Sequence, residues 1–216
     1  MFEPFPKIPR WSREIIVTEK IDGTNAAIVI ADARVSEHEW PKALGQTWFV
    51  EHDGIPYAMW AQSRKQIIAP AALSGDKASD NFGFAAWAYE HRDELVKLGP
   101  GRHFGEWWGQ GIQRNYGLKE RRWSLFNVSR WAQQNALLID GDPRLPAPAC
   151  CYVVPRLTSG IMGSAAVERA MDLLRRNGSY AAKGFDKPEG VIIFHTAGGG
   201  LFKRTFDKDQ EGKGSE

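Results

Sequence analysis

Two short apolar runs open the chain, Glu-Ile-Ile-Val-Thr-Glu-Lys at 14–20 and Ala-Ala-Ile-Val-Ile-Ala-Asp-Ala at 26–33, and only Ile21-Asp22-Gly23-Thr24-Asn25 separates them. Runs this brief, rich in β-branched residues and split by an Asp-Gly step, read as two strands flanking a tight polar turn. The pattern recurs. Residues 102–108 and 122–128 read as strands, as does 151–157 beyond the Pro-rich stretch 142–149. Residues 189–196 and 201–206 read as a closing hairpin across Ala-Gly-Gly-Gly. Between them, 40–65 is a looser region of aromatic and strand-like pieces.

Two segments carry helical spacing instead. After Ser79-Asp80-Asn81, residues 82–98 place Phe84, Trp87, Ala88, His91, Leu95 and Leu98 on one face, with Gly99 as the stop. A second helix has Ser164 as its N-cap, an apolar stripe of Val167, Met171 and Leu174, and Gly178 as terminator. Strands in hairpin-like pairs with helices inserted predict an α+β fold built on antiparallel sheets. No repeat and no domain boundary stands out. One domain over residues 1–206, followed by a polar tail at 207–216, is the expected organisation.

A chain of 216 residues with nine Trp has ample material for a core. Its formal charge of +2 is too small to argue for a nucleic-acid partner, so any basic surface must come from local clustering. The two cysteines, Cys150 and Cys151, are adjacent, a spacing at which a mutual disulfide is hard to form. They point to a reducing, cytoplasmic setting and away from a zinc site. The first residues lack the apolar core of a signal peptide, and no apolar stretch is long enough to span a bilayer.

Lys20 is the residue with chemical promise, because it ends a strand beside a turn of small polar residues. A lysine attacks as a nucleophile only when neutral, and its reference pKa is about 10.4. Neutralising it near a pH of about 7.4 costs roughly 4 kcal/mol without help. Burial, metal ions or neighbouring positive charge reduce that cost, so Lys20 needs partners from elsewhere in the chain.

Five segments, in order, carry a resemblance. Lys20-Ile21-Asp22-Gly23-Thr24-Asn25 matches KxDGxN, and Phe104-Gly105-Glu106 matches FGE. Ser124-Leu125-Phe126-Asn127-Val128 is similar to the next strand motif with its aromatic residue. Glu189-Gly190-Val191-Ile192 matches EGxV, and Phe202-Lys203-Arg204 stands where a lysine-bearing fifth motif belongs. The chain therefore resembles the covalent nucleotidyltransferase superfamily of DNA ligases, RNA ligases and capping enzymes. Asn25 and the segment Ala-Gln-Ser-Arg-Lys-Gln-Ile at 61–67 make it most similar to the phage-type RNA ligase 2 family. Neither an OB-fold nor a helical C-terminal domain is expected after Lys203, so a partner protein could stand in for one.

The resemblance implies an ATP-dependent RNA ligase. Lys20 would take AMP from ATP, pass it to a 5′-phosphate end, and let a 3′-hydroxyl displace it. Asn25 and Glu189 would hold Mg²⁺ (or Mn²⁺), Asn25 through water. Glu106 would contact the ribose or a second metal, Phe126 would stack on adenine, and Lys203 would bind the α-phosphate. Arg64 would reach the nucleotide or a 5′-phosphate, and Glu19 would help fix the adenine, through its side chain or equally through its backbone. The family's fifth motif carries two lysines one residue apart; here Leu201 and Thr205 flank Lys203, and Arg204 would face the other side of a regular strand. The polar loop with Arg114, Lys119, Arg121 and Arg122 is a candidate supplier of the missing phosphate contact. The alternatives are a DNA ligase or GTP-using capping enzyme with the same lysine chemistry, and a non-catalytic nucleic-acid-binding module.

Overall fold

The structure, a computed structural model, describes residues 2–35, 40–76, 80–134, 136 and 142–207. The early strands are β1 (Glu14–Lys20), β2 (Thr24–Asp32), β3 (Trp48–His52), β4 (Ile55–Ser63) and β5 (Ile67–Ile68). Three short helices follow, α1 (Ala71–Ser74), α2 (Phe84–Glu90) and α3 (Arg92–Leu95). Next come β6 (Gly101–Gly109), β7 (Arg121–Leu125), β8 (Trp131–Ala132), β9 (Leu145–Pro146), β10 (Tyr152–Val153) and β11 (Arg156–Ile161). The chain continues through α4 (Ser164–Asn177), β12 (Gly190–His195) and β13 (Leu201–Thr205). The α+β class expected from the sequence is present. Residues 208–216 of the expected tail, and Ser79, lie outside the described residues.

The chain divides into two compact units, Met1–Asp22 with Val154–Glu216, and Gly23–Val153. No shift in composition marks the division, because the first unit is assembled from both ends of the chain. β1 and β2 do not pair with each other; β1 lies in a sheet of the first unit and β2 in a sheet of the second. Gly23 begins the second unit in close quarters. A Cβ there would lie 2.5 Å from the Trp107 carbonyl oxygen and 2.7 Å from Trp108 Cβ.

Among the described residues the first unit holds a four-stranded antiparallel sheet, order β11-β1-β12-β13. Alternation sends Ile15 and Val17 of β1, and Val191 and Ile193 of β12, to one face. There they pack on Ala166, Ala170, Met171 and Leu174 of α4. Ser164 is not the cap: Gly163 holds that position, no side chain bonds to the exposed N–H groups, and Ser164 is the first helical residue. Gly178 ends the helix as expected, with a φ of 70° and its N–H bonded to the Leu174 carbonyl. The β12–β13 hairpin also forms as expected, from Gly190↔Thr205 to Phe194↔Leu201.

In the second unit the larger sheet runs β10-β7-β6-β2-β4-β3, with β5 paired to β4. Its long ladders are antiparallel and its two-residue β10–β7 pairing is parallel, while β8 and β9 form a separate parallel pair. One face buries Ile28, Ile30, Met59, Trp107, Trp123 and Leu125 against Phe84 and its neighbours. Gly105 lets Trp123 cross the sheet, since a Cβ there would sit 2.5 Å from the indole nitrogen.

Two elements differ from their sequence patterns. The helix over 82–98 breaks at His91, whose φ and ψ are −99° and 14°. The His91 ring stacks on Trp87 at 4.9 Å and bonds back to the Trp87 carbonyl through Nδ1 at 2.8 Å, which holds the local kink. Asp80 caps α2, its carboxylate accepting the Ala85 and Ala86 N–H groups at 2.7 and 3.1 Å. The single strand over 151–157 is two, β10 and β11, in different sheets. Pro155 separates them because it has no N–H to continue a ladder.

Candidate active site

Lys20 is the last residue of β1, and the β1–β12 register sets it opposite Gly190. The residue before Gly190 is Glu189, and Lys20 Nζ donates to its Oε2 at 2.5 Å. Both side chains are largely shielded, at 21% and 17% exposure. An ammonium and a carboxylate separated by 169 positions in sequence thus form a close ion pair at the sheet's end. Gly190 lets β13 lie close beside it on the other edge of β12: its φ is +150°, and a Cβ would meet the Arg204 carbonyl oxygen at 2.1 Å.

The first unit also places Lys203 and Arg204. Lys203 pairs with Ile192, which pairs with Thr18, so Lys203 shares the Thr18–Lys20 face of the sheet and is exposed. Arg204 points to the opposite face, as the motif spacing predicted, and its guanidinium is ion-paired with Glu168 of α4. It is committed to the fold.

Glu19 follows the register of Ile15 and Val17 and is only 1% exposed. Its carboxylate accepts the Ser179 hydroxyl at 2.5 Å, the Tyr180 N–H at 2.8 Å and the Ala181 N–H at 2.9 Å. Burial raises the Glu19 carboxyl above its ordinary range, and these three donors pull it back. The side chain therefore staples residues 179–181 under the strand that ends in Lys20. The placement of an acid in the apolar register of β1 was the signal for this role. Glu19→Ala would leave one buried hydroxyl and two part-buried N–H groups without their acceptor, and about 1–3 kcal/mol of stability should go with it, read as a lower Tm.

In the second unit, Asn25 of β2 is opposite Glu106 of β6, and Glu106 is opposite Ser124 of β7. The row lies on the face turned away from the Trp107–Trp123 core. Ser124 is fixed there by the Trp108 indole N–H, 2.9 Å from its Oγ. Phe126 lies one residue past β7, its N–H donating to the Phe104 carbonyl at 3.0 Å. Phe126 and Phe104 are 38% and 46% exposed, so both rings leave apolar surface open to a flat partner. Arg64 and Lys65 are exposed at the tip of the β4–β5 turn, which the Ser63 N–H closes onto the Gln66 carbonyl.

The basic loop between β6 and β7 is anchored by buried Ile112 and Tyr116. Arg121 donates to the carbonyls of Phe82 and Gln110 at 2.6 and 3.0 Å. Arg122 pairs with Glu120 and lies over the Tyr152 ring at 4.7 Å. Two of the four candidate cations thus serve the unit's own structure, while Lys119 is exposed. Glu189 and Asn25, the expected metal pair, belong to different units. Among the described residues, no group of three or more His, Cys, Asp or Glu gathers as a metal site. Cys150 and Cys151 are unbridged, with sulfurs 3.8 Å apart. No helix among the described residues is long and apolar enough to cross a membrane.

Comparison with known proteins yields one family. The RNA ligase family model matches residues 13–205, nearly the whole chain. No curated protein matches. Among solved structures, two variants of a Naegleria gruberi RNA ligase bound to ATP and Mn are similar, each at 15% identity. One has a TM-score of 0.45 and covers 91% of this chain and 51% of that one; the other has 0.44, 90% and 49%. The chain thus spans about half the length of these structures.

Proposed function

The chain belongs to the RNA ligase family, matched over residues 13–205, and from that membership we propose that it is an ATP-dependent ligase acting on RNA ends. The observation that carries the reading is the Lys20–Glu189 pair, a lysine and a carboxylate from the two ends of the chain held 2.5 Å apart. In the first step, neutral Lys20 Nζ attacks the ATP α-phosphorus. A P–N bond forms, the P–O bond to pyrophosphate breaks, and the amine's proton leaves to solvent. A 5′-phosphate oxygen then takes the AMP from Lys20, and a 3′-hydroxyl attacks that phosphate with AMP as leaving group. Each step is phosphoryl-type transfer, governed by positioning and charge neutralisation.

Lys203 binds the α-phosphate from the Lys20 face, and Phe126 stacks on the adenine. Glu106 holds the ribose or a second cation, and Arg64 takes a phosphate oxygen in bidentate fashion. Glu19 contributes through its backbone, its carboxylate being engaged by residues 179–181. A carboxylate such as Glu189 with an amide such as Asn25 suits Mg²⁺ or Mn²⁺, which keeps several waters and shares its shell with substrate phosphates. Held there, the cation would supply charge neutralisation and favour the neutral amine. A cytoplasmic setting fits the two unbridged cysteines.

Incubation with α-labelled ATP or GTP and Mg²⁺ tests the nucleotide. Label from ATP and none from GTP is the expected result; label from GTP alone would place the chain with capping enzymes. Sealing compared on nicked RNA, RNA–DNA hybrid and DNA duplexes then ranks the substrates, with RNA strands expected to be joined fastest. The departures at Leu201 and Thr205 favour a second reading, a binding module that no longer transfers nucleotide. No label with any nucleotide or metal would decide for it.

A further inference from the structure

The four-stranded sheet brings a third cation to the face that carries Lys20 and Lys203. β11 opens with Arg156, and the β1–β11 register sets Arg156 opposite Thr18. A bulge follows: Val17 pairs with Thr158, so Leu157 is the unpaired extra residue. Leu157 packs on the α4 cluster, and the Thr158 hydroxyl donates to the Ala166 carbonyl of the same helix. Arg156, on the other side of the bulge, keeps the Thr18 side of the sheet. A single cross-strand row therefore reads Arg156, Thr18, Ile192, Lys203, with Lys20 one side-chain repeat further along β1.

The two ends of this row are three strand spacings apart, about 14 Å between backbones. Thr18 and Ile192 between them are uncharged, and no acidic side chain occupies the row. Arg156 is exposed and has no ion-pair partner among the described residues. A long guanidinium and a long ammonium flanking a neutral floor suit an anion with several oxygens on more than one phosphorus. Arg204, the cation next to Lys203 in β13, is taken by Glu168 on the other face of the sheet.

We infer that Arg156 is a phosphate-binding residue that acts with Lys203 across the Lys20 face, in place of the second lysine absent at Leu201 and Thr205. This rests on the ligase reading for its substrate, not for its binding chemistry. The phosphates are either the β,γ-diphosphate of ATP or the 5′-phosphate end of RNA.

The test uses wild-type protein, Arg156→Ala, Arg156→Gln and Arg156→Lys, with exposed Arg176→Ala on α4 as control. Calorimetric titration with inorganic pyrophosphate should show binding to wild type weakened about tenfold to a hundredfold in Arg156→Ala and Arg156→Gln. Arg156→Lys should recover part of it, and all variants should keep the wild-type Tm. In the ATP arm, KM for self-labelling with α-labelled ATP rises by a similar factor if the diphosphate is the ligand. In the RNA arm, the preference for a 5′-phosphate over a 5′-hydroxyl oligonucleotide is lost if the RNA end is. Equal pyrophosphate affinity in wild type and Arg156→Ala, or none in wild type at millimolar concentration, overturns the inference. Arg156-dependent binding in a protein that never takes label would keep the phosphate site and sink the ligase reading alone.

Discussion

Lys20→Ala is expected to abolish self-labelling from α-labelled ATP, by a factor of at least about 10³, since no other amine ends β1 beside Glu189. The fold should survive. Glu189 is then a largely shielded carboxylate without its partner, a loss of about 1–3 kcal/mol, which is below the stability of a typical domain. Lys20→Arg separates the ion pair from the chemistry. A guanidinium can still pair with Glu189, but it stays charged and is no nucleophile. Its Tm should match wild type while its label is absent, measured by gel autoradiography on matched, folded protein. Wild-type labelling in Lys20→Arg would mean that a different residue carries the nucleotide.

The second large effect is on the fold. Gly190→Ala should destabilise the first unit by about 4 kcal/mol or more, an exceptional value for adding one methyl group. Two causes add: the backbone sits at φ +150°, and the new Cβ would be placed 2.1 Å from the Arg204 oxygen. Either β12 or β13 must shift, and Glu189 and Lys203 move with them. The expected Tm drop is roughly 8–16 °C. Gly199→Ala is the control. Its φ is +66°, but nothing lies within 4 Å of a Cβ there, so conformational strain acts alone. That variant should lose only about 1 kcal/mol. Equal losses at the two positions would show that the close approach at Gly190 is relieved without disturbing the hairpin.

Local periodicity revealed β1 to its last residue, the closing hairpin and the Gly178 stop, because each is written in a few adjacent side chains. The direct Lys20–Glu189 contact was not legible in this way. The motifs named both residues, but a distance across 169 positions depends on the β1–β12 register. Glu19 is the mirror case: the sequence offered it to the nucleotide through side chain or backbone, and alternation with Ile15 and Val17 turns its carboxylate inward. The break at His91 escaped because its cause is a ring stacked on Trp87 and bonded to a carbonyl, neither of which changes helical spacing. Tyr-Val-Val-Pro-Arg-Leu read as one strand because the apolar pattern runs through Pro155, although the proline ends one ladder before the next begins. The face of Arg156 depends on a bulge at Leu157, and a bulge leaves no mark in composition.

The order in which the first unit's strands leave the ribosome has a consequence of its own. β1 is made before both of its neighbours, β11 and β12, which are synthesised more than 130 residues later. Until then both edges of this apolar strand lack their native partners, a condition that invites pairing with other chains. The second unit, continuous from Gly23 to Val153, has its partners close behind and can fold as it emerges. Nascent chains interrupted before Arg156 would therefore carry a folded central unit and an unpaired strand ending in Lys20. Aggregation of such chains, rather than loss of the central fold, is the characteristic hazard of this connectivity.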